Sequence, residues 1–163
     1  MKVKVKKLSK DAVIPFKKYD SDFCYDCVAV SEEEIAPNVW KYGLGLAFEV
    51  DRGWNHVMVF GCVKGVMGRP LGREYNLSID FRPRSSIYKT GMVLSNAVGT
   101  IDEGYRNEVS AIFYHVMPNM PRYKIGDKIG QIKIGLTLPI EFEEVEELSD
   151  SDRGMKGFGS TGK

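Results

Sequence analysis

The sequence predicts an all-β domain, and three observations carry that prediction. Apolar residues recur with period two, helical windows are scarce, and the candidate strands are short and punctuated by turn chemistry. Alternation places strands over residues 2–8, 23–30, 39–50, 56–63, 75–81, 108–116 and 127–138. Between them lie turns such as Ala36-Pro37-Asn38, the stretch 117–121 and Gly126-Asp127, where Pro presets φ and Gly or Asn tolerates a positive one. Strands at such intervals describe a sandwich, a jelly roll or a barrel. One short helix is expected to begin at Ser86, with the Ser85 and Ser86 hydroxyls capping residues 87–90 before Gly91 ends the turn.

A chain of 163 residues with 43% hydrophobic content is one domain, over 1–152, and a domain of this size buries ~70% of its unfolded surface. Lys and Arg total 23 against 22 for Asp and Glu, so a net charge of +1 offers no global field for nucleic acid or an anionic membrane. A phosphate ligand must therefore be held by locally placed donors. The absence of a long apolar run and of a signal-peptide core points to a cytoplasmic protein, or to the nucleus or a host cytoplasm for a eukaryotic or viral source. Three cysteines do not make a secreted disulfide framework, and a reducing compartment fits them.

Two segments depart from the average. Residues 51–73 carry five glycines and several basic side chains, an insertion too long for a plain loop, part of which is expected to be an extra hairpin. Residues 153–163 carry four glycines and one aromatic, a tail expected to be mobile without a ligand. Its 157–163 stretch fits the G-x-x-x-x-G-K phosphate-loop pattern but not the context, because neither a magnesium-binding hydroxyl nor a helix follows Lys163 in the sequence. The physical content survives: successive Gly, Ser and Thr residues turn backbone N–H groups and hydroxyls toward one polyanion.

Three further strings carry chemistry. Pro83-Arg84-Ser85-Ser86 sets a guanidinium fork, two hydroxyls and a helix start within four residues, a compact grip on phosphate oxygens; the plain alternative is a capped turn. Residues 99–108 place Asp102, Glu103 and Tyr105 in a hairpin-like turn where a carboxylate can orient a water, although acids are also ordinary turn residues. Cys24 and Cys27 are three apart on a strand, so their sulfurs diverge, and His56, Cys62 and His115 are too scattered to complete a metal set.

Taken in order, these strings resemble the trimeric deoxyuridine triphosphatase (dUTPase) family over residues 26–163, through five motifs: Tyr25-Asp26, Pro83-Arg84-Ser85-Ser86 through Asn96, Gly99 to Arg106, Gly126 to Gln131, and Arg153 to Gly162. The resemblance implies a jelly-roll-like protomer in a homotrimer with shared active sites. It implies Mg2+-dependent hydrolysis of dUTP to dUMP and pyrophosphate, which supplies a dTTP precursor and keeps uracil out of DNA. By the same resemblance Asp102 is the general base that aims water at the α-phosphorus. Asn96, Gly99, Ile101, Tyr105 and Phe158 hold base and sugar; Arg84, Ser85, Ser86, Gln131, Arg153, Gly159, Ser160 and Thr161 hold phosphates; Asp26 meets Mg2+ through water. The tail from Arg153 becomes a lid.

The sequence departs from the family pattern at Asn107 and Ser86, where glycine is frequent, at Gly130, where alanine is frequent, and in the insertion, longer than usual by about 20 residues. None of these removes a reacting group. Contact with another protein is one role open to the insertion 51–73. Two alternatives share the fold: a dCTP deaminase, for which Glu108 would be the carboxylate at the base, and a non-catalytic nucleotide-sensing regulator, against which Asp102 speaks.

Overall fold

The computed structural model describes residues 2–51, 76–138, 140–155 and 157. Among them run ten strands: β1 Lys2–Lys7, β2 Tyr25–Val28, β3 Ser31–Ala36, β4 Val39–Gly43, β5 Leu46–Asp51, β6 Asn76–Arg82, β7 Met92–Leu94, β8 Gly99–Ile101, β9 Ser110–His115 and β10 Lys128–Thr137. All pair antiparallel, as a β1-β5 ribbon, a sheet in the order β2-β10-β6-β8 and a sheet in the order β3-β4-β9-β7. The expected all-β class holds.

Alternation drives the packing. Ile79 and Phe81 of β6 and Ile129 and Ile132 of β10 meet Tyr42, Met92, Leu94 and Phe113 of the second sheet in one buried core. The rings of Tyr42, Phe113 and Tyr123 stand edge to face with centroids 5.9, 6.2 and 5.4 Å apart, the arrangement their quadrupoles favour. Over the rim of this core, Arg122 stacks 3.7 Å above Trp40 and donates to Glu32 at 3.0 Å, tying the 117–127 connection to β3 and β4.

Several local expectations are corrected. The strand expected over 39–50 is two strands, broken at Leu44-Gly45, where Gly45 takes φ +63 with no space for a side chain beside Val30 and Ser9. β3, β7 and β8 lie where no strand was expected. The helix is a 3-10 turn, Ser85–Lys89; it begins after Arg84, makes no side-chain cap, and ends at Thr90 rather than Gly91. The acidic run 141–152, whose sequence suggests a solvated strand edge and loop, is exposed throughout but joins no ladder. The strand expected over 56–63, the hairpin expected around 57–62, most of the insertion 51–73, Trp54, His56 and Cys62 lie outside the described residues.

Candidate active site

Asp26 on β2 is the centre of a cationic cluster. Its Oδ1 lies 2.9 Å from Arg84 Nε and its Oδ2 accepts from Lys128 Nζ at 2.9 Å, and the Asp26 side chain is only 15% exposed. Three elements converge to make this contact. Asp26 pairs with Gln131 in the β2-β10 register, Gln131 pairs with Arg82 in the β10-β6 register, and Arg84 follows β6 at the start of the 3-10 turn.

A bulge in β10 is what aims Lys128. On a regular strand residues 128 and 131 would point to opposite faces. The register slips between Lys128 and Gly130, burying Ile129 and Gly130 in succession, so Lys128 and Gln131 emerge on one side. Ser85 joins them on the wall of a cavity of about 500 Å3, a volume typical of ligand sites. Ser86 is half-buried in the 3-10 turn and does not line that wall.

The second group of expected residues lies elsewhere. Asn96, Gly99 and Ile101 line a cavity of about 140 Å3, floored by Phe81 and Leu94, that shares no lining residue with the first. Gly99 leaves room for the Asn96 amide, from which a side chain at this position would stand 3.1 Å. Beyond β8 the chain turns at residues 102–105, where Tyr105 N–H donates to the Asp102 carbonyl at 3.0 Å. The Tyr105 hydroxyl donates to the Glu108 carbonyl at 2.9 Å, and the Asn107 amide oxygen accepts from Glu108 N–H at 2.8 Å. Asn107 thus braces the turn with its own side chain. The Asp102 carboxyl is exposed at its tip.

The two cavities sit at opposite edges of one sheet. In the order β2-β10-β6-β8, Asp26 lies three strand spacings from β8, roughly 14 Å. Asp102 follows β8, so one chain's carboxylate stands far from the same chain's cationic cradle. Neither cavity alone encloses a nucleotide together with a base.

Glu108 is engaged structurally. Its Oε1 accepts from Gly45 N–H at 2.8 Å, and its carboxylate fills the space over Gly43 that a side chain there would need. It does not line the cavity of Asn96 and Gly99.

A protein-family model described as dUTPase matches residues 79–162. A deoxyuridine 5'-triphosphate nucleotidohydrolase from Nautilia profundicola is 33% identical over 165 residues, covering 100% of both chains. The chain belongs to the dUTPase family. Among solved structures, a mutant dUTPase of Staphylococcus bacteriophage 80alpha with dUpNHpp aligns over 99% of each chain at TM-score 0.70 and 22% identity. A mutant dUTPase of phage phi11 of S. aureus, solved with a structural Mg(II) ion, aligns at TM-score 0.62 and 17% identity over 92% of this chain and 100% of that one.

Against the dUTPase motifs, Asp26, Arg84, Ser85 and Gln131 come together, as do Asn96, Gly99 and Ile101, with Asp102 and Tyr105 on the adjoining turn. Arg153 lies in a turn closed by Gly154 N–H on the Ser151 carbonyl at 2.9 Å and lines neither cavity. Phe158, Gly159, Ser160 and Thr161 lie outside the described residues. Sequence reading assigned no role to Lys128; the signal was a cation two residues before Gly130 in the fourth motif.

Cys24 and Cys27 are free thiols, Cys24 half-buried on the larger cavity and Cys27 in the core. Burial, reinforced by the Asp26 charge, pushes the Cys27 thiol up to about 12.

Proposed function

We propose that this dUTPase-family protein hydrolyses dUTP to dUMP and pyrophosphate in a homotrimer whose active sites are each assembled from more than one subunit. The observation that carries the reading is the full-length match to a dUTP nucleotidohydrolase in a chain that keeps both the Asp26-Arg84-Gln131 cradle and the Asn96–Asp102 hairpin. The separation of these two groups within one chain supports sharing between subunits, because closed cyclic symmetry brings one protomer's hairpin edge to its neighbour's cradle. The exposed apolar side chains of Ile140, Phe142 and Leu148 on the C-terminal arm also favour a neighbouring subunit as their cover.

Asp102 accepts a proton from water as the oxygen forms its bond to the α-phosphorus. The bond from that phosphorus to the bridging oxygen breaks, and pyrophosphate leaves with the electron pair. Arg84, Lys128, Ser85 and Gln131 take up charge on the phosphate oxygens, with Ser86 at the same turn. This electrostatic contribution is largest when water is excluded. The tail, through Arg153, Phe158, Gly159, Ser160 and Thr161, closes as the lid that excludes it. Tyr105 stacks under the deoxyribose and leaves no room for a 2′-hydroxyl, while Asn96, Gly99 and Ile101 read the uracil edge.

Among the described residues no group of three or more His, Cys, Asp or Glu side chains converges on a metal position. One carboxylate with two of its lone-pair positions taken by Arg84 and Lys128 fits a Mg2+ that arrives on the triphosphate and keeps its waters, with Asp26 meeting one of them. Such an ion neutralises phosphate charge. The engagement of Glu108 by Gly45 disfavours a deaminase. Pyrophosphate release measured separately with dUTP, dTTP, dCTP and UTP, with and without Mg2+, tests the reading: release from dUTP with Mg2+ is expected, and ammonia from dCTP instead would overturn it.

A further inference from the structure

The larger cavity has a wall that none of the five motifs supplies. Residues 17–25 form a loop whose two ends meet at Asp26: Asp26 N–H donates to the Phe16 carbonyl at 2.6 Å, and Phe16 N–H to the Asp26 carbonyl at 3.3 Å. The loop is internally fixed. Tyr19 N–H donates to the Asp22 carboxylate at 3.1 Å and Asp22 N–H returns to the Tyr19 carbonyl at 3.1 Å. Lys17 leaves the bridge directly beside Asp26, with its Nζ donating to the Asp20 carbonyl at 2.5 Å and lying 5.8 Å over the Tyr25 ring. Lys18 is exposed, its Nζ 5.1 Å over Tyr19.

Both lysines line the cavity that holds Arg84 and Lys128, where the carboxylates are Asp22 and Asp26. Asp26 is already neutralised by Arg84 and Lys128, and Asp22 is held by a backbone N–H. Among the described residues neither Lys17 nor Lys18 forms an ion pair with a carboxylate, so both add positive charge to the cavity wall, in a chain whose overall charge of +1 supplies no global field for a polyanion.

We infer that Lys17 and Lys18 are a second set of phosphate contacts, which bind the polyphosphate tail of the substrate and distinguish it from a nucleoside monophosphate. The inference rests on the proposed dUTP reading and deepens it. An ammonium on a flexible stem acts as a point charge, so it follows a moving tail better than it fixes one geometry. The loop bridge on Asp26 anchors the backbone that carries these two lysines beside the site.

The test uses the full chain with Lys17→Met, Lys18→Met and the double substitution, which keep most of the apolar stem. For the double variant the expected result is a KM for dUTP raised about five- to tenfold, with kcat reduced less than twofold. Inhibition by pyrophosphate should weaken in parallel, inhibition by dUMP should stay within twofold, and the salt dependence of kcat/KM should flatten. Lys17→Arg with Lys18→Arg should restore the dUTP KM. An unchanged KM in the double variant, or equal weakening of dUMP and dUTP, overturns the inference. A parent chain that releases no pyrophosphate from dUTP overturns the functional reading instead, and binding of inorganic pyrophosphate to parent and double variant still decides the role of the lysines.

Discussion

The ring of Phe81 occupies the volume that a side chain on Gly130 would need. A methyl group built on Gly130 collides with the Cζ end of the ring, 2.6 and 2.8 Å from its Cε atoms, with Phe81 itself only 3% exposed. Phe81 sits on β6 between the two groups of functional residues, opposite Gly99 in one register and Ile132 in the other. Glycine at position 130 thus leaves space that an aromatic ring fills.

From this pairing, Gly130→Ala should destabilise the fold by about 1–3 kcal/mol, the range for overpacking a well-filled core. Phe81 also lines the cavity of Asn96 and Gly99, so weaker nucleotide binding should accompany the lower stability. Phe81→Leu combined with Gly130→Ala should recover about 1 kcal/mol or more relative to the sum of the single changes, since neighbours in contact are not additive. Urea unfolding of the four proteins measures this, and strict additivity would contradict the shared volume.

How much of this was legible in the sequence follows from exposure and length. β6 and β9 bury alternate residues, and β10 does so apart from its bulge at Ile129-Gly130, so their pattern shows in the chain. β3 is an edge strand whose Glu32, Glu33 and Glu34 present no apolar face, and its sequence reads as solvated. β7 and β8 are three residues long, too short to display a period. The motif strings were legible because their chemistry is local. The distance between Asp26 and the hairpin was not, because it depends on the sheet order, and the face shared by Lys128 and Gln131 depends on a bulge that alternation does not signal.

The Cys27 thiol gives a pH prediction with a definite sign. Burial raises it from 9.0 to about 12, so between these values the unfolded chain releases a proton that the native chain retains. Its effect on stability is flat below pH 9, turns unfavourable as pH rises through 9 and levels off near 12. Urea midpoints at pH 8 and pH 11 should therefore differ less in Cys27→Ala than in the parent. Native alkylation at pH 8 followed by mass mapping should modify Cys24 in preference to Cys27; equal labelling would contradict the burial.

Removal of residues 152–163 separates stability from turnover. Residues 152–155 and 157 are exposed and belong to no strand, so their loss removes no described core contact. Unfolding free energy should change by no more than about 0.5 kcal/mol, as for surface changes generally. Pyrophosphate release should fall by about 10²-fold or more if the tail closes the site. A truncated protein with near-normal turnover would remove the lid from the mechanism.

Subunit sharing is open to a complementation experiment, because the cradle and the hairpin carboxylate lie at opposite edges of the β2-β10-β6-β8 sheet. Asp102→Asn removes the base and should cost about 10²–10⁴ in kcat while dUTP still binds. Arg84→Ala removes a charge from the cradle and should cost about 10² or more, with Asp26 still held by Lys128. Each homotrimer alone is then nearly inactive. When equal amounts are unfolded together and refolded, mixed trimers contain some sites that combine an intact Arg84 from one subunit with an intact Asp102 from another. For a cyclic trimer in which each site draws these two groups from adjacent subunits, random assembly restores about a quarter of the parent activity. If both groups acted within one chain, no intact combination would form and the mixture would show only the average of the two variants.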